Sequence, residues 1–282
     1  MRGRRLLTIL IIAAAGASAA AAAPRPPARI VSLNLCADQY LLALADPAQI
    51  VALTRFARDP NMSAAANAAR TIPVSRGSAE DVLMLRPDLV ISSPFRRQTV
   101  AAVLAGRNVA TLDLPPADSY TAIVTQVRQV AAAIGHPDRG ETLIRRMDTA
   151  LARLPRAPGG GRTAAYYQRR GFLTGTGTLV DELMQRLGLA NLATRLGKPA
   201  LSQLSLEQMA LARPDYLVVE SATDRVTDQG TEMLHHPILD GIPRLRIPEA
   251  WTVCGGPAYV LAAQSLAAQL RTPRPAGPRR GR

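Results

Sequence analysis

The chain has 282 residues, a formal net charge of +13, and 48% hydrophobic but only 4% aromatic residues. The basic excess gathers at the two ends, leaving about +5 on the body between them, and so few aromatics leave few platforms for base stacking, which argues against a nucleic-acid partner. The two cysteines, Cys36 and Cys254, match no zinc-ligand spacing.

Residues 1–23 read as an export signal. Arg2, Arg4 and Arg5 form the basic region, residues 6–15 the apolar region, and Ala17-Ser18-Ala19 a small-residue cleavage site, with a second cut available in the alanine run that follows. The apolar run is short of the ~20 residues of a membrane span, and no cysteine adjoins the cut to carry a lipid. The expected mature protein is exported and soluble, in the periplasm of a two-membrane bacterium.

From Arg29 onward strand and helix signals alternate: a strand over 30–33, a helix over 36–45, a strand over 50–53, a helical stretch over 61–69, a helix over 99–104 and a strand over 109–114. Residues 119–134 read as an amphipathic helix that Gly135 breaks. Pro137 suits the first turn of a second helix, running to about 154, where Pro155, Pro158 and Gly159-Gly160-Gly161 end it. A second alternation follows, with a strand over 163–168, a helix over 179–187, a short strand over 245–247 and a last helix over 257–270. This pattern predicts a mostly parallel sheet covered by helices. The tail carries five arginines among Pro and Gly from Arg271 on and is expected to be disordered.

The most informative feature is a fifteen-residue pattern that occurs twice. Residues 78–92 read SAEDVLMLRPDLVIS and residues 205–219 read SLEQMALARPDYLVV, so that Ser78/Ser205, Glu80/Glu207, Arg86/Arg213, Pro87/Pro214 and Asp88/Asp215 recur at one offset of 127 residues. Each copy predicts a capping box (Ser78 with Asp81, Ser205 with Gln208), a short helix stopped by the X-Pro step, and a buried strand. An offset that long exceeds any solenoid period and suggests two similar lobes with a cleft between them.

No catalytic signature stands out: no Gly-x-Ser-x-Gly elbow and no His-Glu-x-x-His occur, so no catalytic residue, metal site or cofactor is assigned and an enzyme is disfavoured. The Gly-rich run 171–177 lacks the P-loop lysine and the full dinucleotide fingerprint, and reads as a turn with Thr178 capping the next helix. His235-His236 reads as a loop or helix end before Pro237, and His136 as structural. The ligand face of a parallel sheet is the carboxyl end of its strands. That places Asn34, Leu35, Cys36, Arg55, Phe56, Phe95, Arg96, Tyr167 and Arg169 at a cleft, joined by Trp251 and Cys254 if their segment lies on the same side. Arginines and aromatics gathered there suit a large anionic or conjugated ligand. The two cysteines either bridge or stand as free thiols near the ligand.

With the strand Arg29-Ile-Val-Ser-Leu, both repeat copies, Gly175-Thr-Gly-Thr-Leu-Val-Asp-Glu-Leu and the helix pair over 119–154, the mature chain resembles the metal-chelate class of bacterial substrate-binding proteins that serve ABC importers. The resemblance implies an α/β fold of two Rossmann-like lobes, residues 28–136 and 161–271, bridged by a single long helix over 137–156, with signal 1–23 and tail 272–282 outside. It implies a monomer that captures an iron-siderophore or cobalamin-type chelate and delivers it to an inner-membrane ABC permease. Haem is the alternative ligand, weakened because the usual haem-ligating tyrosine has no counterpart in the first-lobe loops, and an enzyme acting on a tetrapyrrole or chelate is the more distant one. It also transfers to Glu80 and Glu207 the role of docking acids that pair with permease arginines. The Asn34-Leu-Cys-Ala-Asp38 and Trp251-x-x-Cys254-Gly-Gly-Pro segments look like a subgroup feature.

Overall fold

The computed structural model describes residues 25–271, so the expected signal and tail lie outside the described residues. The first half contains the strands β1 (Ile30–Ser32), β2 (Ile50–Thr54), β3 (Val74–Ser75), β4 (Leu89–Ser92) and β5 (Ala110–Asp113), with the helices α1 (Leu35–Leu44), α2 (Ala79–Met84) and α3 (Arg97–Leu104) between them. The strands form one sheet in the order β3-β2-β1-β4-β5, every pair parallel, with Ile30, Val31 and Ser32 opposite Leu89, Val90 and Ile91. The chain then passes through α4 (Tyr120–Ala133) and α5 (Pro137–Ala152), the two packed on each other. Ser119 caps α4 by accepting from the Ala122 N–H, and Pro137 occupies the first turn of α5, where its missing N–H leaves no donor unpaired.

The second half contains β6 (Thr163–Tyr166), β7 (Phe172–Thr174), α6 (Leu179–Arg186), β8 (Ala190–Asn191), α7 (Leu192–Arg195), β9 (Leu201–Gln203), α8 (Leu206–Ala212), β10 (Tyr216–Glu220), α9 (Gln229–Glu232), β11 (Arg244–Ile247) and α10 (Tyr259–Arg271). Its main sheet runs β11-β10-β6-β8, again parallel, and β7 and β9 pair antiparallel beside it. Alternate residues of the central strands feed cores on opposite faces. Ile30, Ile91, Ala164 and Val218 join a large cluster that also takes in α1, α4, α5 and α10 and so spans both halves. Val31 and Val90 on one sheet, and Ala165, Leu217 and Val219 on the other, face separate clusters. Both sheets are therefore covered on both faces, which is why their strands read as unbroken apolar runs.

The repeat has a structural meaning. Asp88 accepts from the Ala28 and Arg29 N–H groups at 2.8 and 2.9 Å, and its own N–H donates to the Arg29 carbonyl. Asp215 accepts from the Thr163 N–H at 2.9 Å and its N–H donates to the Thr163 carbonyl. Each aspartate thus locks the start of β4 or β10 to the start of its neighbour, β1 or β6. Arg86 and Arg213 both sit at left-handed φ, +44° and +45°, so that the chain leaves the helix, turns at the proline and enters the strand. A non-glycine residue takes that conformation only where its surroundings hold it.

Three expectations need correction. The stretch over 61–69 is not an α-helix but a run of turns ending in a 3-10 segment at Ala68–Thr71. The Asp59 carboxylate accepts from the Asn61 N–H and the Ser63 hydroxyl from the Ala65 N–H, local bonds that compete with helical ones. The capping box is reciprocal only in the second copy. In the first, Ser78 caps α2 but Asp81 turns away, accepting from the Ser75 hydroxyl and the Arg76 N–H. The Gly-rich run is not all turn, because its Phe172–Thr174 segment is strand β7.

Candidate ligand cleft between the lobes

The carboxyl ends of the first sheet open on a cavity of about 880 Å³. Ser32, Thr54 and Ser75 end β1, β2 and β3 at its wall, and Leu33, Leu35, Phe56, Met62 and Val74 give it an apolar lining. Three arginines, Arg55, Arg76 and Arg96, complete it, and no carboxylate lines it. The Arg55 guanidinium lies 4.6 Å from the centre of the Phe56 ring, and Arg96 donates to the Gly77 carbonyl at 2.8 Å. Beneath the wall Asp38 is fully buried and accepts from both the N–H and the hydroxyl of Thr54. Burial pushes its carboxyl up to about 7, against the opposing pull of hydrogen bonds from Ser32 and Thr54.

The second sheet opens on a smaller cavity of about 320 Å³, lined by Gln168, Arg169, Phe172, Leu201, Glu220 and Glu249. Glu220, at the end of β10, is buried and accepts from the Tyr166 hydroxyl at 3.1 Å and the Gln168 amide at 2.9 Å. Arg169 is engaged by Asp228 in a close ion pair. The Glu249 carboxyl is raised above the usual range, first by burial and then by the neighbouring Glu220. The Arg169 guanidinium opposes that shift, and Asp59 of the first half adds to it.

A third cavity, about 190 Å³, lies where the halves meet. Asn34, Cys36, Ser93, Phe95 and residues 114–118 line it from one side, and residues 252–255 from the other. Here Cys36 and Cys254 form a disulfide with Cα atoms 5.3 Å apart, a covalent tie between residues 218 positions distant. Beside it the Tyr40 hydroxyl donates to the Gly255 carbonyl at 2.7 Å. A Cβ on Gly255 would lie 2.0 Å from the Ala117 carbonyl oxygen, so only glycine admits this approach. The Cys-Gly pair of the Trp251 segment is therefore the seam between the halves.

Nine of the eleven sequence-derived candidates line these cavities: Leu35, Arg55, Phe56 and Arg96 the first, Arg169 the second, and Asn34, Cys36, Phe95 and Cys254 the third. Tyr167 lines none of the three. It is fully buried and its hydroxyl donates to the Leu204 carbonyl at 2.7 Å. Trp251 is half-buried against the shared core, next to the wall residue Thr252. Sequence reasoning missed Arg76, Glu220 and Glu249. Arg76 follows a two-residue edge strand with no apolar pattern to mark it, whereas Glu220 ends the second repeat's strand and was open to the strand-end argument.

Away from the cleft, Glu80 and Glu207 lie exposed in the first turns of α2 and α8. The first-turn backbone N–H with Ser78, and Ser205 with the backbone, hold the two carboxyls below the usual range. One helical turn on, Met84 and Leu211, equivalent in the repeat, are 80% and 83% exposed. The histidines are engaged in local structural bonds, two to the backbone and one to side chains. His235 bonds to the Thr223 carbonyl, His236 accepts from the Ile238 N–H, and His136 pairs with Gln49. Among the described residues no group of three His, Cys, Asp or Glu could hold a metal ion, and no helix is long and apolar enough to cross a membrane.

The sequence matches the family described as periplasmic binding protein over residues 30–246. It is 24% identical over 253 residues to a vitamin B12-binding protein of Pectobacterium carotovorum subsp. carotovorum (strain PC1), covering 86% of this chain and 88% of that one. Among solved structures, a periplasmic heme-binding protein from Roseiflexus sp. RS-1 in apo form aligns with a TM-score of 0.64 at 25% identity, over 86% of this chain and 99% of that one. The periplasmic vitamin B12 binding protein of Vibrio cholerae aligns with a TM-score of 0.63 at 16% identity, over 87% and 97%, a likeness of fold alone.

Proposed function

We propose that this chain, which belongs to the periplasmic binding protein family, is the substrate-binding component of an ABC importer and captures an iron-siderophore or cobalamin-type chelate in the periplasm. The observation that carries the reading is the cavity of about 880 Å³ at the carboxyl ends of the first sheet. That volume lies within the range of sites that enclose a drug-sized or cofactor-sized ligand. The fold likeness and the B12-binding relatives support the same ligand class. In this reading α5 is the sole bridge between lobes 28–136 and 161–271, the ligand contacts come from the nine cavity-lining candidates, and the protein binds without turning its ligand over.

Haem is the second reading, because carboxylates of its kind suit an arginine-lined mouth and a heme-binding structure shares the fold. No Tyr or His lines the three cavities to ligate its iron, which ranks it below. Titration of the mature protein with ferric siderophores, cobalamin and haem, followed by fluorescence of its only tryptophan, Trp251, separates them. Saturable quenching by one chelate with the ligand recovered unaltered is the expected result. Catalytic alteration of the chelate would replace the binding-protein reading with an enzyme.

Delivery would use the paired outer helices. Glu80 and Glu207 occupy equivalent exposed positions on the two halves, so a permease with two equivalent arginine sites would meet one acid from each. Reversing both charges is expected to abolish uptake in cells while leaving chelate affinity unchanged. Normal uptake by the double variant would remove the docking role.

A further inference from the structure

The two mouths differ in charge, and that difference constrains the ligand beyond its size. On the first-lobe side Arg55, Arg76 and Arg96 line one cavity, and none is in an ion pair with a described carboxylate. Of the acids behind that wall, Asp81 is engaged by Ser75 and the Arg76 N–H. Asp38 is buried under Thr54 with its carboxyl raised to about 7, so it offsets only part of the arginine charge. On the second-lobe side the sign is opposite. Arg169 is paired with Asp228 and eases Glu249 only in part, so the lining sets one already paired arginine against two acids, Glu220 and Glu249. The two acids repel each other, and Asp59 of the first half adds to the repulsion.

Resting on the chelate-binding reading above, we infer that the ligand is polarised: it turns anionic oxygens (carboxylate, phosphate or catecholate) to Arg55, Arg76 and Arg96, and hydrogen-bond donors or a cation to Glu220 and Glu249. Guanidinium groups bind such oxygens through short charge-assisted bonds. In a cavity with low-dielectric walls three of them set a field that an uncharged surface does not satisfy. A carboxylate held beside another carboxylate is eased by a hydrogen-bond donor, a cation or a proton, and a ligand can supply the first two. The arrangement therefore selects the orientation of the chelate as well as its charge, since the reversed pose would set like charges against each other on both sides.

The test is calorimetric titration of the purified mature protein with four chelates: an anionic ferric tris-catecholate, a neutral ferric tris-hydroxamate, haem and cyanocobalamin. A chelate bearing anionic oxygens is expected to bind at least ~10-fold tighter than the neutral hydroxamate, with affinity falling as salt rises. Combined Arg55→Ala, Arg76→Ala and Arg96→Ala substitution is expected to weaken that chelate by on the order of 100-fold and to flatten its salt dependence. The Arg55→Ala/Arg76→Ala pair, which spares the Arg96 bond to Gly77, should show the same direction in a protein whose circular dichroism is unchanged. Glu249→Gln should weaken the chelate that carries donors and leave haem, which has none at its apolar edge, unaffected. Tightest binding of the neutral chelate, or arginine variants with unaltered affinity and salt slope, would overturn the polarity while leaving the chelate reading intact. Failure of all four to bind would overturn the chelate reading and the polarity together.

Discussion

In the first half of the chain Asp88 closes the start of β1 by accepting from Ala28 and Arg29, and in the second half Asp215 does the same for β6 at Thr163. The arginines before the two prolines share one unusual backbone conformation, and the glutamates in the first turns of the two helices share exposure. At the opposite ends of the same strands nothing matches. One mouth presents three arginines over an aspartate fed by Thr54, the other two glutamates beside an arginine already paired. The frame is duplicated where strands must be started and where a two-sited partner would dock. It has diverged at the two cavity mouths, where the proposed ligand would be held. Symmetry on the outside and asymmetry within is the arrangement expected if docking and capture were separate tasks.

The largest test of the pairing of these halves is the disulfide. Cys36–Cys254 crosses the seam and closes a loop of 218 residues, which chain entropy values at about 5 kcal/mol. Replacing both cysteines by serine is expected to lower unfolding stability by about that amount in denaturant titration, and thiol titration of the denatured, unreduced protein should find no free thiol. Two free thiols would leave the lobes joined only by the chain and its packing.

A second test sets buried acid against buried acid. Asp38 in α1 and Asp181 in α6 are both buried near the starts of helices on the two halves. Asp181 accepts from the Gly177 N–H and from the Gln185 and Asn191 amides at 2.8–3.3 Å, whereas Asp38 is held by Ser32 and Thr54 and is still raised from 3.8 to about 7, chiefly by burial. An acid raised on folding binds its proton more tightly in the native state. Its contribution is therefore full below about pH 4 and is lost as pH rises to about 7. Melting curves between pH 4 and 8 should show Asp38→Asn gaining on the wild type as pH rises, by on the order of 4 kcal/mol at the upper end. Asp181→Asn sets an amide against donors and should lose about 1–3 kcal/mol at neutral pH. A flat difference for Asp38→Asn would show that burial does not raise its carboxyl in the folded protein.

The frame was legible in the sequence because it is made by residues with one strong local preference each. Ser at a helix start, an X-Pro step at its end and an apolar run behind it left little alternative, and both copies fold accordingly. The antiparallel pair β7/β9 was not legible, since Phe172–Thr174 sits in a Gly-rich run and the Leu201–Gln203 strand is largely exposed. The cleft was legible at the loops after strong strands, as at Arg55 and Arg96. It was not at Arg76, behind an edge strand of two residues. Tyr167 misled because sequence places it just past a strand, whereas the sheet is covered on both faces and its side chain enters the second core. The cysteine bridge depended on a close approach at Gly255 that only tertiary packing reveals.

The smallest and sharpest difference lies inside the repeat itself. A destabilisation of about 1 kcal/mol is expected for either cap, Ser78→Ala or Ser205→Ala, because each hydroxyl satisfies one first-turn N–H. The partners three residues on should not behave alike. Gln208 returns a single bond to the Ser205 N–H at 3.2 Å on an exposed surface, so Gln208→Ala should cost a few tenths of a kcal/mol. Asp81 instead binds the Ser75 hydroxyl and the Arg76 N–H, and so fixes the end of β3 that forms the arginine-lined mouth. Hydrogen bonds to a charged group are worth about 1.5–3 kcal/mol, so Asp81→Ala should cost more than Gln208→Ala and should also weaken the chelate, through Arg76. Equal costs in denaturant titration, with unchanged affinity, would mean that the first copy is only a worn capping box. Unequal costs would mean that one residue of the duplicated frame has been turned inward to serve the site.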